Sequence, residues 1–173
     1  MLEGRQYREL FKKVEKHLSQ IEQQKLLKDT LGLIIDNLIT DFKDDFGFTG
    51  ARLYVLDEKC YRLENKYGED IPAPIGIELP LDYGPVAAVR RAGCIYMDRE
   101  SKDVDIYLEE KLGVERFAAI AVGQGNAYII AFSVKEGLEW ERDEILFALS
   151  SIRHAINLKL AKESLENIVL QSQ

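Results

Sequence analysis

Two almost continuously apolar runs, joined by a short polar turn, form the most distinctive pattern in the chain. The first run is Arg116–Val122 and the second is Ala127–Val134, with Gly-Gln-Gly-Asn between them. Runs rich in β-branched and aromatic residues on both sides of such a turn predict a β-hairpin. Because neither run alternates with polar residues, we expect both faces to be covered, as in the interior of a sheet.

Apolar residues at helical spacing precede this hairpin. In residues 3–22 they form a narrow stripe that is nearer to a coiled-coil seam than to a core face. From Leu27 to Phe42 the stripe is broader and bulkier, which predicts a helix that packs on the sheet and stops at Gly47.

The last predicted helix begins near Trp140 and is longer than a small sheet requires. Its length of about thirty residues corresponds to roughly 45 Å. Its first half carries an apolar stripe through Ile145 and Ile156, and its second half shifts to another face. The extra length of the helix favours pairing with a second copy of the chain, in which both terminal helices form a bundle. The expected dimer interface consists of Leu10, Val14, Leu18, Ile21, Leu158, Ala161, Leu165 and Ile168.

Between the first helices and the hairpin, the pattern changes to short strands and loops. Two strand-like runs around a tight turn predict a second hairpin. A short edge strand ends at Pro80, and a short helix has Pro85 in its first turn and Gly93 as its stop. The predicted elements are the strands Ala51–Leu56, Tyr61–Tyr67, Ile75–Leu79 and Ile95–Met97, the helix Val86–Ala92, and a loop with a short helix over Asp98–Leu112.

Composition narrows the class of protein. The chain has 173 residues with a net charge of −7, and it lacks the clustered Lys and Arg that direct nucleic-acid contacts need. No apolar run approaches the ~20 residues that span a bilayer, so no membrane partner is expected. The N-terminus lacks a signal-peptide core, and two cysteines make no disulfide framework. These features predict a cytoplasmic protein with one domain and flanking helices.

With these elements in order, the sequence resembles a GAF domain. Gly84-Pro-Val-Ala-Ala-Val-Arg-Arg-Ala-Gly93, followed by a strand and Asp98, is similar to a segment of that family. The paired runs after Val114 resemble its central strands. Leu138-Glu-Trp-Glu-Arg-Asp-Glu resembles the entry to its final helix.

The resemblance implies an α+β fold with an antiparallel sheet of about six strands and helices on both faces. Residues 26–160 would form the GAF-like domain, residues 1–25 a signalling and dimerisation helix, and residues 161–173 the end of a linker helix. It also implies a homodimeric sensory or regulatory role in signal transduction or transcriptional regulation. A small-molecule effector would bind inside, and an output domain or partner protein would receive the signal.

Catalysis in this family is represented by the free methionine sulfoxide reductases, which also resemble the chain. Their reactive cysteine lies two residues after the glycine that aligns with Gly84, where this chain has Val86. Cys60 and Cys94 lie elsewhere, so we interpret both as structural thiols. The chain is therefore expected not to be an enzyme, with a reductase as the alternative.

No cofactor is indicated by the sequence. The cysteine contexts of bilin-binding members and the motif of cyclic-nucleotide binders are absent, and both histidines, His17 and His154, lie on terminal helices. The acidic run after Asp98 does not fit an EF-hand, because Lys102 and Asp103 occupy the fifth and sixth loop positions. We therefore expect a solvated loop there, and no metal.

A pocket between the central strands and the excursion from Tyr83 to Tyr107 is the expected binding site. Aromatic walls with a few polar groups are typical of small-ligand sites. The candidate pocket residues are Tyr83, Arg90, Tyr96, Asp98, Tyr107, Phe117 and Ala119. Two alternatives stay open: these residues simply pack or face water, or the chain is a dimerisation scaffold of the PAS or profilin kind without ligand.

Overall fold

The computed structural model describes residues 4–20, 27–68, 72–98, 101, 105, 116–134 and 141–171. Its centre is a six-stranded sheet in which every described pair is antiparallel, in the spatial order β3-β2-β1-β6-β5-β4. The strands are β1 Phe48–Asp57, β2 Cys60–Gly68, β3 Glu78–Pro80, β4 Cys94–Asp98, β5 Arg116–Val122 and β6 Tyr128–Val134.

The predicted central hairpin is confirmed. Strands β5 and β6 pair in register from Phe117 opposite Ser133 to Val122 opposite Tyr128. Both are interior strands, since β6 also pairs with β1 and β5 with β4. That position explains why both runs are apolar throughout: each face of these strands is covered by other parts of the chain.

The described ranges contain the helices α1 Gly4–Gln20, α2 Leu27–Asp41, α3 Lys43–Phe46, α4 Gly84–Ala92 and α5 Arg142–Gln171. The single helix predicted as far as Gly47 is wrong in one detail, because α2 ends at Asp41 and the short α3 follows. Gly47 does provide the stop, with a left-handed φ of 68° that suits glycine. The final helix has 30 residues, as its pattern predicted.

The sheet separates two apolar cores. The helix-side core lies between the sheet and the helices α2 and α5, and includes Leu53, Ile120 and Ile152. The cavity-side core lies between the sheet and α4, and includes Tyr54 and Phe117. Because strand side chains alternate between faces, consecutive residues of β5 belong to different cores. The fold is α+β with helices on both faces, as expected from the sequence.

The terminal helices differ from the expected dimer seam in one respect. Leu10 and Val14 are buried within the chain, in the helix-side core. Helix α1 packs against α5, so this burial corrects the expectation that these two residues belong to a dimer interface. Leu158 and Leu165 are 59% and 63% exposed, and Ala161 is also exposed. The side chains of Leu18, Ile21 and Ile168 lie outside the described part of the chain.

None of the helices in the described ranges has the length and apolarity that a bilayer span requires. The cytoplasmic location and the domain boundaries expected from the sequence stay predictions.

Candidate ligand-binding site

A small cavity lies on the α4 side of the sheet. Its accessible volume is about 30 Å³, which exceeds what one water needs but is far below a drug-sized site. Strands β1, β4, β5 and β6 form its floor, and α4 with the turn before it forms a wall. The described lining residues are Arg52, Tyr54, Leu79, Tyr83, Pro85, Val86, Val89, Ile95, Phe117, Ala119, Ile129 and Ala131.

Strand register explains why space remains there. Arg52 of β1 is opposite Ala131 of β6, which is opposite Ala119 of β5, which is opposite Ile95 of β4. Side chains that are opposite one another on one face are neighbours, so the long Arg52 side chain lies beside two methyl groups. The two alanines are too short to fill the space between the sheet and α4.

Arg52 is the most unusual residue of the cavity, because it is a cation that is only 2% exposed. One of its terminal nitrogens, Nη1, donates a hydrogen bond of 3.2 Å to the hydroxyl oxygen of Tyr54. Its guanidinium carbon lies 5.8 Å from the centre of the Tyr54 ring. The buried Nε has no acceptor within the part of the chain that the structure describes. Among the described residues, no carboxylate pairs with Arg52.

Three of the predicted pocket residues, Tyr83, Phe117 and Ala119, line this cavity. Tyr83 lies immediately before α4, and its hydroxyl oxygen accepts a hydrogen bond of 3.2 Å from the backbone N–H of Asp105. This bond connects Asp105, in the acidic run after Asp98, to the cavity wall. Phe117 and Ala119 point to the same face of β5.

Three other predicted pocket residues, Arg90, Tyr96 and Asp98, do not line the cavity. The prediction for Tyr96 is wrong because its side chain lies on the other face of the sheet: Tyr96 is opposite Ala118 and packs on the helix-side core. Asp98 ends β4, where its backbone N–H and a carboxylate oxygen bond to the Ser101 hydroxyl. Tyr107 lies outside the described residues.

Arg90 belongs to a second polar cluster beyond the cavity lining. Its guanidinium carbon is 5.9 Å from the centre of the Tyr61 ring. The Tyr61 hydroxyl donates a 2.7 Å hydrogen bond to the carbonyl of Asn126, and the Asn126 side chain donates to the carbonyl of Arg90. Burial raises the pKa of Tyr61, and Arg90 partly opposes that effect. The cluster joins the end of α4 to the β5–β6 turn.

The position expected for a reductase cysteine is on the cavity wall, but Val86 occupies it. The two thiols lie elsewhere. Cys60 is opposite Pro80 near the sheet edge, and the Cys94 sulfur lies 3.7 Å from the carbonyl oxygen of Leu146 in α5. Desolvation raises the pKa of both thiols. Nearby carboxylates raise the pKa of Cys60 further, and Arg153 partly opposes the rise at Cys94. Thiolate formation is disfavoured at both positions.

No metal centre is formed by the described residues, since no three His, Cys, Asp or Glu side chains converge there. Much of the acidic run after Asp98 lies outside the described ranges.

Sequence comparison identifies no relative: no family model and no curated protein matches the chain. Solved structures, in contrast, do match the chain. The chain is similar to the GAF domain of a two-component sensor histidine kinase from Bacillus halodurans, with 19% identity and a TM-score of 0.57, over 83% of this chain and 98% of that one. It is similar to the GAF domain of a phosphoenolpyruvate-protein phosphotransferase from Coxiella burnetii, with 14% identity and a TM-score of 0.61, over 94% and 96%.

An enzyme shares the same architecture. The free methionine-R-sulfoxide reductase from Neisseria meningitidis, solved in complex with its substrate, has 12% identity and a TM-score of 0.65, over 92% of this chain and 91% of that one. The chain therefore has a GAF-domain fold. At these identities the likeness concerns the fold alone, and function has to be argued from the chain's own residues.

Proposed function

We propose that this chain is a non-catalytic sensory or regulatory module that binds a small molecule in the cavity beside α4. The observation that carries the proposal is this cavity itself, with aromatic and aliphatic walls and one buried cation, Arg52, on its floor. Apolar walls with few polar groups suit small-molecule recognition. The module would act in signal transduction or transcriptional regulation, through an output domain or a partner protein.

Strand β5 offers a direct route from the cavity to the last helix. Ala119 faces the cavity, while its neighbours Ala118 and Ile120 face the helix-side core. On that side, the Nε of Arg153 in α5 donates a 2.6 Å hydrogen bond to the carbonyl of Ala121. A ligand that displaces β5 would therefore change the position of α5. Such a ligand acts by favouring one of two arrangements for which its affinities differ.

A second copy of the chain is the proposed partner of α5. Large apolar side chains are exposed along one stripe of this helix: Phe147, Leu158, Leu165 and Val169. Removing a side chain of this size from water contributes about 1.5–3 kcal/mol when burial is complete. A groove of about 370 Å³ between α1 and α5, which Leu158 also lines, continues this apolar surface. Pairing two such stripes would form the bundle through which the signal passes.

The experiment that tests the proposal is a thermal-denaturation screen of the full chain against nucleotides, carboxylic acids, amino acids and sugars. A ligand that binds only the folded state raises the Tm by mass action. For each hit, distances between spin labels introduced by Lys162→Cys on α5 would be measured with and without ligand, in a background lacking both native cysteines. Labels introduced by Glu58→Cys in the β1–β2 turn provide the control.

We expect at least one hit, and a ligand-dependent distance change at position 162 that exceeds the change at position 58. No hit from the whole panel, together with no small molecule released from protein purified under native conditions, would overturn the sensory function and favour a scaffold.

The non-catalytic part of the proposal has its own test. The wild-type chain and the variants Cys60→Ala and Cys94→Ala would each be incubated with free methionine sulfoxide and a thiol reductant. Val86 at the cavity wall, and thiols with raised pKa elsewhere, support the expectation of no turnover. Turnover lost in Cys60→Ala or Cys94→Ala would establish a reductase instead.

A further inference from the structure

A buried cation that has no counter-charge among the described residues is the feature of this structure that most needs an explanation. Moving a charged group from water into a protein interior costs several kcal/mol unless other groups compensate. In proteins, buried charges are paired, hydrogen-bonded or used for binding. Arg52 is 2% exposed, and its one described hydrogen bond goes to the neutral hydroxyl of Tyr54.

The described residues supply no anion for Arg52. Ion pairs in these ranges include Lys13 with Asp45, and Arg62 with Asp57 and Glu78, and none of these involves Arg52. None of the described residues that line the cavity is acidic. The Nε of Arg52 is buried and has no acceptor among these residues, which leaves one edge of the guanidinium with unused hydrogen-bonding capacity.

We propose that the cavity is a site for a small organic monocarboxylate, held by the guanidinium of Arg52. The planar guanidinium matches the two oxygens of a carboxylate, which can accept two parallel N–H bonds. This assignment rests on the proposed function and adds the chemical class of the effector. The carboxylate replaces the missing counter-charge, and the apolar body of the ligand lies against Phe117, Val86 and Val89.

Charge balance selects a monoanion that has no amino group. A phosphate dianion would bring a second negative charge into a cavity whose described lining has one cation. An amino acid would bring an ammonium group into a site where no described lining residue is acidic. Each leaves an unpaired buried charge, and that cost opposes binding.

The size of the cavity sets a limit on the ligand. With about 30 Å³ of accessible volume, the site as it stands has room for a carboxylate group and few further atoms. A ligand with a branched aliphatic body requires α4 and the Tyr83 side chain to move outward. The inferred ligand is therefore a short-chain acid, and a branched member such as isovalerate binds only when the cavity wall is displaced.

Matched small molecules test the charge requirement on the full chain. Isovalerate is the probe, isovaleramide has the same shape without the charge, L-valine adds an ammonium group, and inorganic phosphate is the alternative anion. All are compared at equal ionic strength by thermal denaturation. At a hundredfold excess over Kd, a ligand raises the Tm of a chain of this size by about 5 °C or more. We expect a rise with isovalerate and no comparable rise with the other three.

Substitutions at Arg52 test the residue. Arg52→Met keeps the length of the side chain and removes the charge, and Arg52→Lys keeps the charge but loses the planar fork. The control is Arg62→Met, at an exposed arginine on β2. We expect Arg52→Met to lose the isovalerate response while its ligand-free Tm stays equal or rises, because no buried charge remains unpaired. Arg52→Lys should weaken binding at least tenfold, and Arg62→Met should leave it unchanged.

A spectroscopic measurement keeps the test independent of variant stability. In ¹⁵N-labelled wild-type protein, the Nε–H resonance of Arg52 is identified by its absence in Arg52→Lys. It should shift on addition of isovalerate and not on addition of isovaleramide. Equal binding of acid and amide, or an isovalerate response that persists in Arg52→Met, would overturn the monocarboxylate site. A wild-type protein that binds only neutral or cationic molecules would overturn it while leaving the sensory function intact.

Discussion

The hydroxyl of Thr30 in α2 donates a hydrogen bond of 2.7 Å to a carboxylate oxygen of Glu163 in α5, across 133 residues of sequence. Both residues are fully or almost fully buried, at 0% and 1% exposure. The second carboxylate oxygen of Glu163 has no hydrogen-bond partner in the described ranges. This bond joins the two helices that cover the same face of the sheet, and it is the one described polar contact that the buried Glu163 makes.

Thr30→Val should therefore destabilise the chain although it preserves the shape of the side chain. Removing the hydroxyl leaves Glu163 buried without its donor, which costs about 1–3 kcal/mol. Urea unfolding measures the change in the free energy of unfolding. Thr40→Val, at an exposed position of the same helix, is the matched control and should change it by less than about 0.5 kcal/mol. Equal effects of the two substitutions would show that the buried bond contributes nothing.

Two neighbouring alanines on β5 should respond differently to the same enlargement. Ala118 is fully buried in the helix-side core, whereas Ala119 borders the cavity. Ala118→Val should lower the free energy of unfolding by about 1–3 kcal/mol through overpacking, and Ala119→Val by less than about 1 kcal/mol. Chemical denaturation of both variants measures the difference. If Ala119→Val were the more damaging substitution, the cavity would not hold usable space.

Gly93 should tolerate a side chain less well than Gly76, a glycine with nearly the same φ. Gly93 and Gly76 have φ of 88° and 91°, so alanine is strained at both, by roughly 1–2 kcal/mol. At Gly76 an added Cβ meets nothing within 4 Å, whereas at Gly93 it comes within 3.0 Å of the Arg153 guanidinium. Displacing Arg153 would weaken its bond to Ala121, so Gly93→Ala should cost about 1 kcal/mol more than Gly76→Ala. Urea unfolding of the pair decides this, and equal costs would contradict it.

The thiol of Cys94 should react slowly with alkylating reagents. Burial raises its pKa, with partial opposition from Arg153, so less thiolate is present at a given pH than in a free cysteine. In a Cys60→Ser background, the midpoint of the pH–rate profile with iodoacetamide should lie above that of free cysteine measured in the same buffer. Because the folded state holds this proton more tightly than the unfolded state, stability should also fall as pH rises beyond the unfolded pKa. A midpoint that is the same in urea would contradict the shift.

Charged substitutions on the exposed stripe of α5 should abolish self-association. Leu158→Glu and Leu165→Glu place a carboxylate where the proposed dimer buries apolar surface, so both variants should be monomers. Light scattering after size-exclusion chromatography measures their mass. Ser150→Glu, exposed on the same helix, is the control and should leave the dimer intact. A wild-type chain that is monomeric at all concentrations would remove the dimer from the proposal.

The elements of the fold were readable from the sequence because their signals are local. Apolar runs around the Gly123 turn, and glycine stops at Gly47 and Gly93, fix where strands and helices begin and end. The faces were harder, because they depend on register between strands distant in sequence. The sequence predicts Tyr96 in the pocket, whereas its pairing with Ala118 turns its side chain to the helix side.

Arg52 was missed for a related reason. In the run Ala51-Arg-Leu-Tyr-Val-Leu, a single charged residue that alternates with apolar ones is typical of a solvent-facing position. Nothing local indicates that α4, more than thirty residues later, covers that face. The one available signal was that Tyr54 shares the face with Arg52, so the supposed solvent side also carries a large aromatic ring. Leu10 was misplaced similarly, since its burial depends on the position of α5.

Because consecutive residues of β5 pack in opposite cores, substitutions in this strand are poorly suited to changing the ligand selectivity of the cavity. Enlarging Ala119 alters the cavity, but any accompanying backbone shift reaches Ala118 against the helices one residue away. Val86 and Val89 face the same cavity from α4, and both belong to the cavity-side core. A protein engineer who wishes to change selectivity without disturbing the coupling to the long helix should therefore build the first library on α4.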